Sequence, residues 1–353
     1  MRSSDLAFGA ALAAGLACAS PARAQATPQG FAVERFYPSA PGGGWFVMDA
    51  LDMHGGLGAV VGVTTGYARG PLRVSTADGS QRLRLVSEEA FASIDLAVTY
   101  KRFRLYLNLP NPALIKGDCG AGGACAQIGG YTFQTPQVDA GQSPDLIADP
   151  RIGVDVRLVG EPAGPFRLGA GAQLIPSIGS RGDYDTDGTP RAMFRALFAG
   201  DVGALSYAGH VGVHVRPLDD SPAPGSPQGS ELLFGVAAGP RFSLGPRVPW
   251  AVVVGPEVFG ASAFKSFGTS TGTALEALVG ARLEGTRDRG RQLRLKLGAG
   301  GGLDPRFGAP EWRVVFGLEV FDHDERYRPP TTVDPPIAPA PPLPPPIAPA
   351  SSP

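Results

Sequence analysis

Charged side chains recur at every second position in several parts of the chain, and they are its main candidates for chemical function. In Ile152–Leu158, aliphatic residues alternate with glycine, aspartate and arginine. A period of two puts the charges on one face of a β-strand and the aliphatic residues on the other. The charged face holds eleven basic and five acidic candidates: Arg104, Arg151, Arg157, Arg167, Arg195, Arg216, Arg241, Arg282, Arg294, Lys296 and Arg313, with Asp155, Glu257, Glu276, Glu284 and Glu319.

Few other side chains have catalytic or metal-binding potential. His210 and His214 share the charged face of one predicted strand. Four residues along a strand span about 13 Å, which is too far for both imidazoles to bind one metal ion. Ser206 lies on the same strand and face, but no nucleophile motif surrounds it. We therefore predict no enzymatic activity and no catalytic residue.

The run Asp183–Gly188 has the Asp-x-Asp-x-Asp-Gly start of a calcium-binding loop. The twelfth position of that loop is Phe194, where an EF-hand needs a bidentate glutamate. Two interpretations stay open: calcium bound by Asp183, Asp185 and Asp187, or a solvated acidic turn. Calcium is the one candidate cofactor that the sequence suggests.

Cys119 and Cys125 lie in one glycine-rich loop. In an exported chain such a pair predicts a disulfide, because oxidising compartments keep thiols paired. The disulfide would clip the loop locally. A metal or redox site would need further ligands, and the loop supplies none.

The elements that position these residues are twelve predicted β-strands. Period-two alternation runs from Gly56 to Phe321, with breaks rich in glycine, proline and aspartate. The strands are 57–68, 83–100, 103–110, 148–159, 166–178, 191–202, 205–216, 231–243, 250–264, 274–284, 292–303 and 311–322. Short turns alternate with longer loops, of which 111–147 is the longest. This pattern is typical of outer-membrane barrels, with the turns in the periplasm.

The composition of the two faces favours a membrane barrel over a soluble sandwich. A soluble sandwich buries its large apolar side chains and exposes its polar ones. Here the face opposite the aliphatic one is glycine, alanine, arginine, glutamate and histidine. We predict an all-β fold: an antiparallel transmembrane β-barrel of about twelve strands over 56–322, in the outer membrane. An even strand number places both barrel termini in the periplasm.

Both chain ends differ from the barrel. Leu6–Cys18 is apolar and precedes a small-residue cleavage site, which predicts a signal peptide over 1–24. Residues 25–55 are predicted as an N-terminal periplasmic segment. Residues 323–353 contain Pro-Pro-Ile-Ala-Pro-Ala twice. They predict a disordered proline-rich periplasmic tail, either a plain extension or a segment that docks on an envelope partner.

Three segments resemble OmpA-family outer-membrane proteins of the delta-proteobacterial, myxobacterial type. They are Phe31–Ser39 (FAVERFYPS), Leu146–Val154 (LIADPRIGV) and Phe307–Leu318 (FGAPEWRVVFGL). The resemblance implies a Gram-negative envelope protein with an N-terminal barrel. In that family a peptidoglycan-binding domain follows the barrel. This sequence ends in the proline-rich tail, so cell-wall anchoring is not expected here.

Two functions fit the predicted barrel. A water-filled interior with surplus arginine would be a porin-like pore for small, anionic solutes. Arginine and glutamate that pair across the interior would instead close it, leaving an interaction or scaffold protein that acts through its loops and tail. A twelve-stranded barrel is intermediate in size between small barrels that side chains fill and wide channels. Its strand number therefore does not decide between the two functions. The near balance of 31 basic and 32 acidic residues argues against nucleic-acid binding.

Overall fold

The protein is described here by a computed structural model that covers residues 30–53, 56–119, 127–139, 147–218, 228–245, 250–285, 291–304 and 308–323. The predicted signal peptide, Cys125 and most of the proline-rich tail lie outside these residues. Within the described ranges, no helix is both long and apolar enough to cross a membrane.

Twelve antiparallel strands of the described chain form a closed barrel, which confirms the predicted fold. They are β1 (Leu57–Ser75), β2 (Arg82–Tyr100), β3 (Phe103–Lys116), β7 (Arg151–Val159), β8 (Arg167–Ile175), β9 (Arg191–Val202), β10 (Leu205–Val215), β11 (Glu231–Ser243), β12 (Trp250–Ala263), β13 (Thr273–Gly285), β14 (Arg291–Asp304) and β15 (Trp312–His323). Each pairs with the next around the ring, and β15 pairs with β1 from Gly58↔His323 to Arg69↔Trp312. Three short strands, β4 (Gln127–Ile128), β5 (Tyr131–Thr132) and β6 (Gln137–Asp139), lie between β3 and β7.

The period-two alternation sorts the side chains between the two faces of the barrel wall. On β3, Arg104 is 2% exposed, whereas the next residue, Leu105, is 60% exposed. The same contrast recurs around the ring, so the outer surface is a belt of valine, leucine, isoleucine and phenylalanine. Such a surface suits lipid, where aliphatic side chains cost nothing to expose.

The hairpin of β1 and β2 projects beyond the other strands. The sequence predicted a loop over 69–82, but β1 continues to Ser75 and pairs with β2 up to Arg82. Above Arg69 it has no pairing with β15, so about six residues, or roughly 20 Å, stand above the ring. At the tip, the Thr76 hydroxyl and then Ser80 donate hydrogen bonds to Asp78, which lowers the pKa of that carboxyl to about 2.

The long loops pack together at one end of the barrel, which we call the mouth. Phe31, Leu72, Leu85, Phe133 and Tyr184 belong to one buried cluster there. Cys119 packs against this cluster. Because Cys125 lies outside the described residues, the disulfide stays a prediction. The opposite end carries the short connections, such as the one between Val202 and Leu205, and we call it the turn end.

Residues 30–53 lie inside the barrel and not in a separate periplasmic segment, which corrects the prediction for 25–55. Gly30 lies at the mouth, where its carbonyl accepts a hydrogen bond from Arg181 (2.6 Å). Asp52 lies at the turn end, where its carboxylate accepts one from the Ala163 N–H (3.2 Å). We call residues 30–53 the plug segment.

The outward face of the strands can be tested at two depths. Val279 lies at the middle of β13 and faces outward, and Leu205 faces outward at the first position of β10. We expect Val279→Arg to lower the free energy of unfolding by about 2–4 kcal/mol, because a charge at mid-depth must leave water for lipid. Leu205→Arg should cost about 0–1 kcal/mol near the interface. Denaturant unfolding in lipid vesicles measures both, and equal costs would contradict a lipid-facing belt.

Candidate functional site: the filled barrel interior

A tight turn shapes the middle of the plug segment. The Ser39 N–H donates to the Phe46 carbonyl (2.7 Å), and the Ala50 N–H donates to the Gly43 carbonyl (2.7 Å). Gly42 and Gly44 have φ values of 86° and 92°. Only glycine adopts that region without a steric cost, so the Pro41–Gly44 run permits the chain to fold back within the barrel.

Glu257 on β12 holds this turn from the wall. Its carboxylate accepts hydrogen bonds from three consecutive backbone N–H groups: Phe46 (2.7 Å), Val47 (2.8 Å) and Met48 (3.3 Å). Consecutive backbone N–H groups that converge on an anion stabilise its charge. Glu257 is fully inside the barrel, so this contact joins the plug segment to the wall deep in the interior.

Apolar side chains of the plug segment fill the space around that contact. Phe36, Trp45, Phe46, Val47 and Met48 are all buried. They form one cluster with wall residues from several strands, namely Ala199, Ala208, Ala237, Val253, Phe259, Leu278 and Val315. Small side chains on the inner wall leave room for the plug segment, which explains why alanine and glycine are common on that face.

Basic wall residues bind the plug segment through its carbonyls and rings. Arg151 donates to the Pro38 carbonyl (3.2 Å) and Arg157 to the Leu51 carbonyl (3.3 Å). Arg282 stacks over the Trp45 ring at 4.6 Å. Lys296 donates to the Trp45 carbonyl (3.5 Å) and also binds Glu319 on β15 (2.7 Å).

Ion pairs also join the plug segment to the wall. Arg104 bridges Asp49 of the plug segment and Asp155 of β7, the latter at 2.8 Å. Arg313 donates to both oxygens of Glu34 (2.9 and 3.0 Å) and to Glu276 (2.8 Å). 

Arg35 of the plug segment pairs with Glu231 on β11 (2.8 Å). Period-two alternation did not identify Asp49, Glu34 and Arg35 as interior residues, because the plug segment has no such alternation.

The remaining charged residues pair along the wall. Glu284 forms ion pairs with Arg241 (2.5 Å), Arg282 (3.4 Å) and Arg294 (3.3 Å). Arg294 also binds Glu319 (3.0 Å). All sixteen predicted interior candidates point into the barrel, with Arg241 and Arg294 only partly buried.

Two further arginines have partners on the wall, of which Asp201 and Tyr106 were not among the predicted interior residues. Arg167 pairs with Asp201 (2.9 Å) at the turn end. Arg195 donates to the Tyr106 hydroxyl (3.0 Å) and lies 3.5 Å from Asp155.

The carboxylates of the acidic run after β8 accept hydrogen bonds from the protein itself, and this geometry does not favour the calcium interpretation. Asp187 accepts two hydrogen bonds from Arg216 (2.6 and 2.7 Å) and one from the Ala32 N–H (2.9 Å). Asp183 accepts from the Gln137 N–H (3.0 Å) and Asp185 from the Ser180 N–H (2.6 Å). In the part of the chain that is described, no three such side chains come together as a metal site.

The residues considered for catalysis take part in packing. The Ser206 hydroxyl accepts a hydrogen bond from Arg282 (3.2 Å). His214 lies 3.5 Å from Glu231 and has its ring edge against Tyr37, with centroids 5.6 Å apart. His210 is buried on the same strand.

Comparisons with known proteins do not identify a family for this chain. No family model matches the chain, and no curated protein matches it. Among solved structures, it is similar to the CymD monoaromatic hydrocarbon channel, at 10% identity over 79% of this chain and 91% of that chain, with a TM-score of 0.38. 

A Pseudomonas aeruginosa FadL homologue shares 10% identity over 84% of this chain and 99% of that chain, with a TM-score of 0.38. OmpT of Vibrio cholerae, folded in vitro, shares 10% over 76% and 98%, with a TM-score of 0.30. At these TM-scores the likenesses carry no functional argument, and the barrel assignment depends on the strand pairing. The OmpA-family resemblance stays a prediction.

Hydrogen exchange tests the contact between Glu257 and the plug segment. We expect the Phe46 and Val47 amides to exchange slowly, because a buried carboxylate accepts both. Glu257→Gln should speed their exchange by about tenfold or more, since charge-assisted bonds contribute about 1.5–3 kcal/mol. Glu276→Gln is the matched control, because Glu276 accepts from Arg313 and not from a plug amide. Equal effects of the two variants would contradict a specific contact.

Asp187 gives a pH test at the mouth. Burial opposes its ionisation, but Arg216 outweighs that effect and holds the pKa of Asp187 well below its ordinary value. A lowered pKa adds stability that is complete above the ordinary value of about 4 and is lost as the pH falls toward the lowered value. We expect Asp187→Asn to lower the unfolding temperature at neutral pH and to reduce its further decline in acid. Thermal gel-shift curves across pH measure this, and parallel declines would contradict it.

Proposed function

We propose that this chain is an outer-membrane barrel that its own plug segment closes in the resting state. The single observation that carries the proposal is the position of residues 30–53, which cross the interior from the mouth to the turn end. An open diffusion pore needs a continuous watery path, whereas here aromatic side chains and ion pairs occupy the interior. The closed scaffold therefore fits the geometry better than the porin-like pore.

The location and orientation belong to the same proposal. The apolar outer belt and the predicted signal peptide support the outer membrane. With the mouth outside and the turn end in the periplasm, both barrel termini are periplasmic, and the projecting β1–β2 hairpin faces the exterior. The proposed function is non-catalytic: a structural barrel that presents its mouth loops outside and its proline-rich tail, which lies beyond the described residues, to a periplasmic partner.

Planar-bilayer recording of the refolded 25–353 chain tests the closed state. We expect no steady conductance from the wild-type barrel, because the plug segment fills its interior. A variant that combines Glu257→Gln with Asp49→Asn and Trp45→Ala removes three contacts of the plug segment with the wall. It should conduct in steady steps, and arginine on the inner wall should make them anion-selective.

Each other outcome is informative. Steady steps from the folded wild type would overturn the closed state and favour the pore. Silence from both proteins would mean that wall ion pairs close the barrel without the plug segment. Heat-modifiable gel migration confirms that each sample is folded before recording. A matched variant, Glu88→Gln, alters an ion pair with Arg69 between β1 and β2 that does not involve the plug segment, and it should stay silent.

A further inference from the structure

A cavity lies beside the plug segment near the mouth. Its volume is about 90 Å³, and it opens partly to solvent. Residues 32–38 of the plug segment form one side, and β2, β3 and the loop 183–185 form the others. Its apolar lining includes Val33, Phe36, Phe91, Pro110, Pro112 and Ile115. Concave, mainly apolar spaces with a few polar groups are the usual form of small-molecule sites.

The cavity lies where β3 changes the strand with which it pairs. Residues 103–108 of β3 pair with β7, whereas residues 114–116 pair with β6. Between them lie Pro110 and Pro112, which have no N–H to donate to a neighbouring strand. The Ala148 N–H still donates to the Pro110 carbonyl (3.1 Å). The wall is therefore loosely joined here, and the plug segment fills the gap only in part.

The charges of the cavity are unequal. Its acidic lining residues are Glu34, Glu89, Asp149, Asp183 and Asp185, and its basic ones are Arg151 and Arg191. Both cations are engaged: Arg191 with Asp149 (2.7 Å), and Arg151 with the Pro38 carbonyl and the Tyr37 ring. They are not available to attract an anionic ligand.

Two of the acidic groups, Glu34 and Glu89, line the same cavity. Glu89 projects from β2, and Glu34 belongs to the plug segment. Glu34 is bound by Arg313, which also binds Glu276. One guanidinium thus serves two carboxylates, and the cavity lining holds further acidic groups. An opposite charge within a few ångströms of a carboxylate is attracted to it, so this surplus of acidic groups favours a positive charge in the cavity.

We propose that this cavity binds a small, mainly apolar molecule that carries one positive charge, such as an alkylammonium or arylalkylammonium ion. The ammonium group would lie at the Glu34–Glu89 pair, and the apolar part would lie among Phe36, Phe91 and Pro110. Anionic amphiphiles would be rejected by the surplus carboxylates. The site requires the plug segment in place, but it does not depend on whether the barrel conducts.

Calorimetric titration of the full chain in amphipol tests this, with hexylamine, hexanol and hexanoate as probes of equal chain length. We expect hexylamine to bind in a 1:1 ratio, at least about tenfold more tightly than hexanol, because a charged contact adds about 1.5–3 kcal/mol. Hexanoate should not bind. Glu89→Gln should reduce the hexylamine affinity to about that of hexanol.

The matched control is Glu88→Gln, because Glu88 pairs with Arg69 and does not line the cavity. It should leave the hexylamine affinity unchanged. Ala148→Trp, which adds bulk from a half-buried lining position, should abolish binding of both hexylamine and hexanol. It also provides a test if Glu89→Gln fails to fold. Absence of hexylamine binding, equal affinity for hexanol, or no effect of either cavity variant would overturn the proposal.

Discussion

The need to neutralise arginine inside the barrel governs the rest of this structure. The inner wall carries more basic than acidic side chains: to the eleven basic and five acidic residues predicted there, the structure adds Arg191, Asp95 and Glu231. Unpaired charges in a space with little water are costly, and each must find an anion or several carbonyls. The wall itself supplies too few acidic residues to pair with them all. The plug segment adds Glu34, Asp49 and the carbonyls of Pro38, Trp45 and Leu51 as partners.

The path of the plug segment constrains how the barrel can form. The segment begins at the mouth, crosses to the turn end, and continues into β1, whose first residue is Leu57. β1 closes the ring against the last strand, β15. The segment must therefore be inside, or enter, as that final seam forms. Its contacts with β3, β7 and β11–β14 give the unclosed sheet a template on which to curve.

The barrel could be predicted because strands in lipid obey one simple rule. Each outward position must be apolar, so the alternation survives in every spanning segment, and the strand ends on β9 and β11 agree with the sequence. The rule fails above the ring. There Leu72, Leu85 and Val86 are buried under the mouth loops, so the alternation no longer indicates lipid and the β1–β2 extension was missed.

The plug segment could not be predicted from periodicity, because its main contacts use backbone groups. Three N–H groups that converge on Glu257 leave no pattern in the side chains. The charge count was the available signal: eleven cations opposite five anions require acidic partners from elsewhere. Glu34 and Asp49 precede the first strand and would have been candidates. The run 183–187 gives no sign in the sequence that Asp187 binds Arg216, because the two residues are distant along the chain.

The choice of arginine explains why the plug segment and the wall act as one unit. The chain has 27 arginines and only 4 lysines. A guanidinium has five donors in a fixed fork, so it can bind two or three acceptors at once. Arg313 joins Glu34 to Glu276, and Arg216 joins Asp187 and Glu231 to the Ala32 carbonyl. Removing the plug segment would strip partners from each of these groups together. Its displacement is therefore a concerted event with a high cost, which favours a closed barrel at rest over one with a loosely held gate.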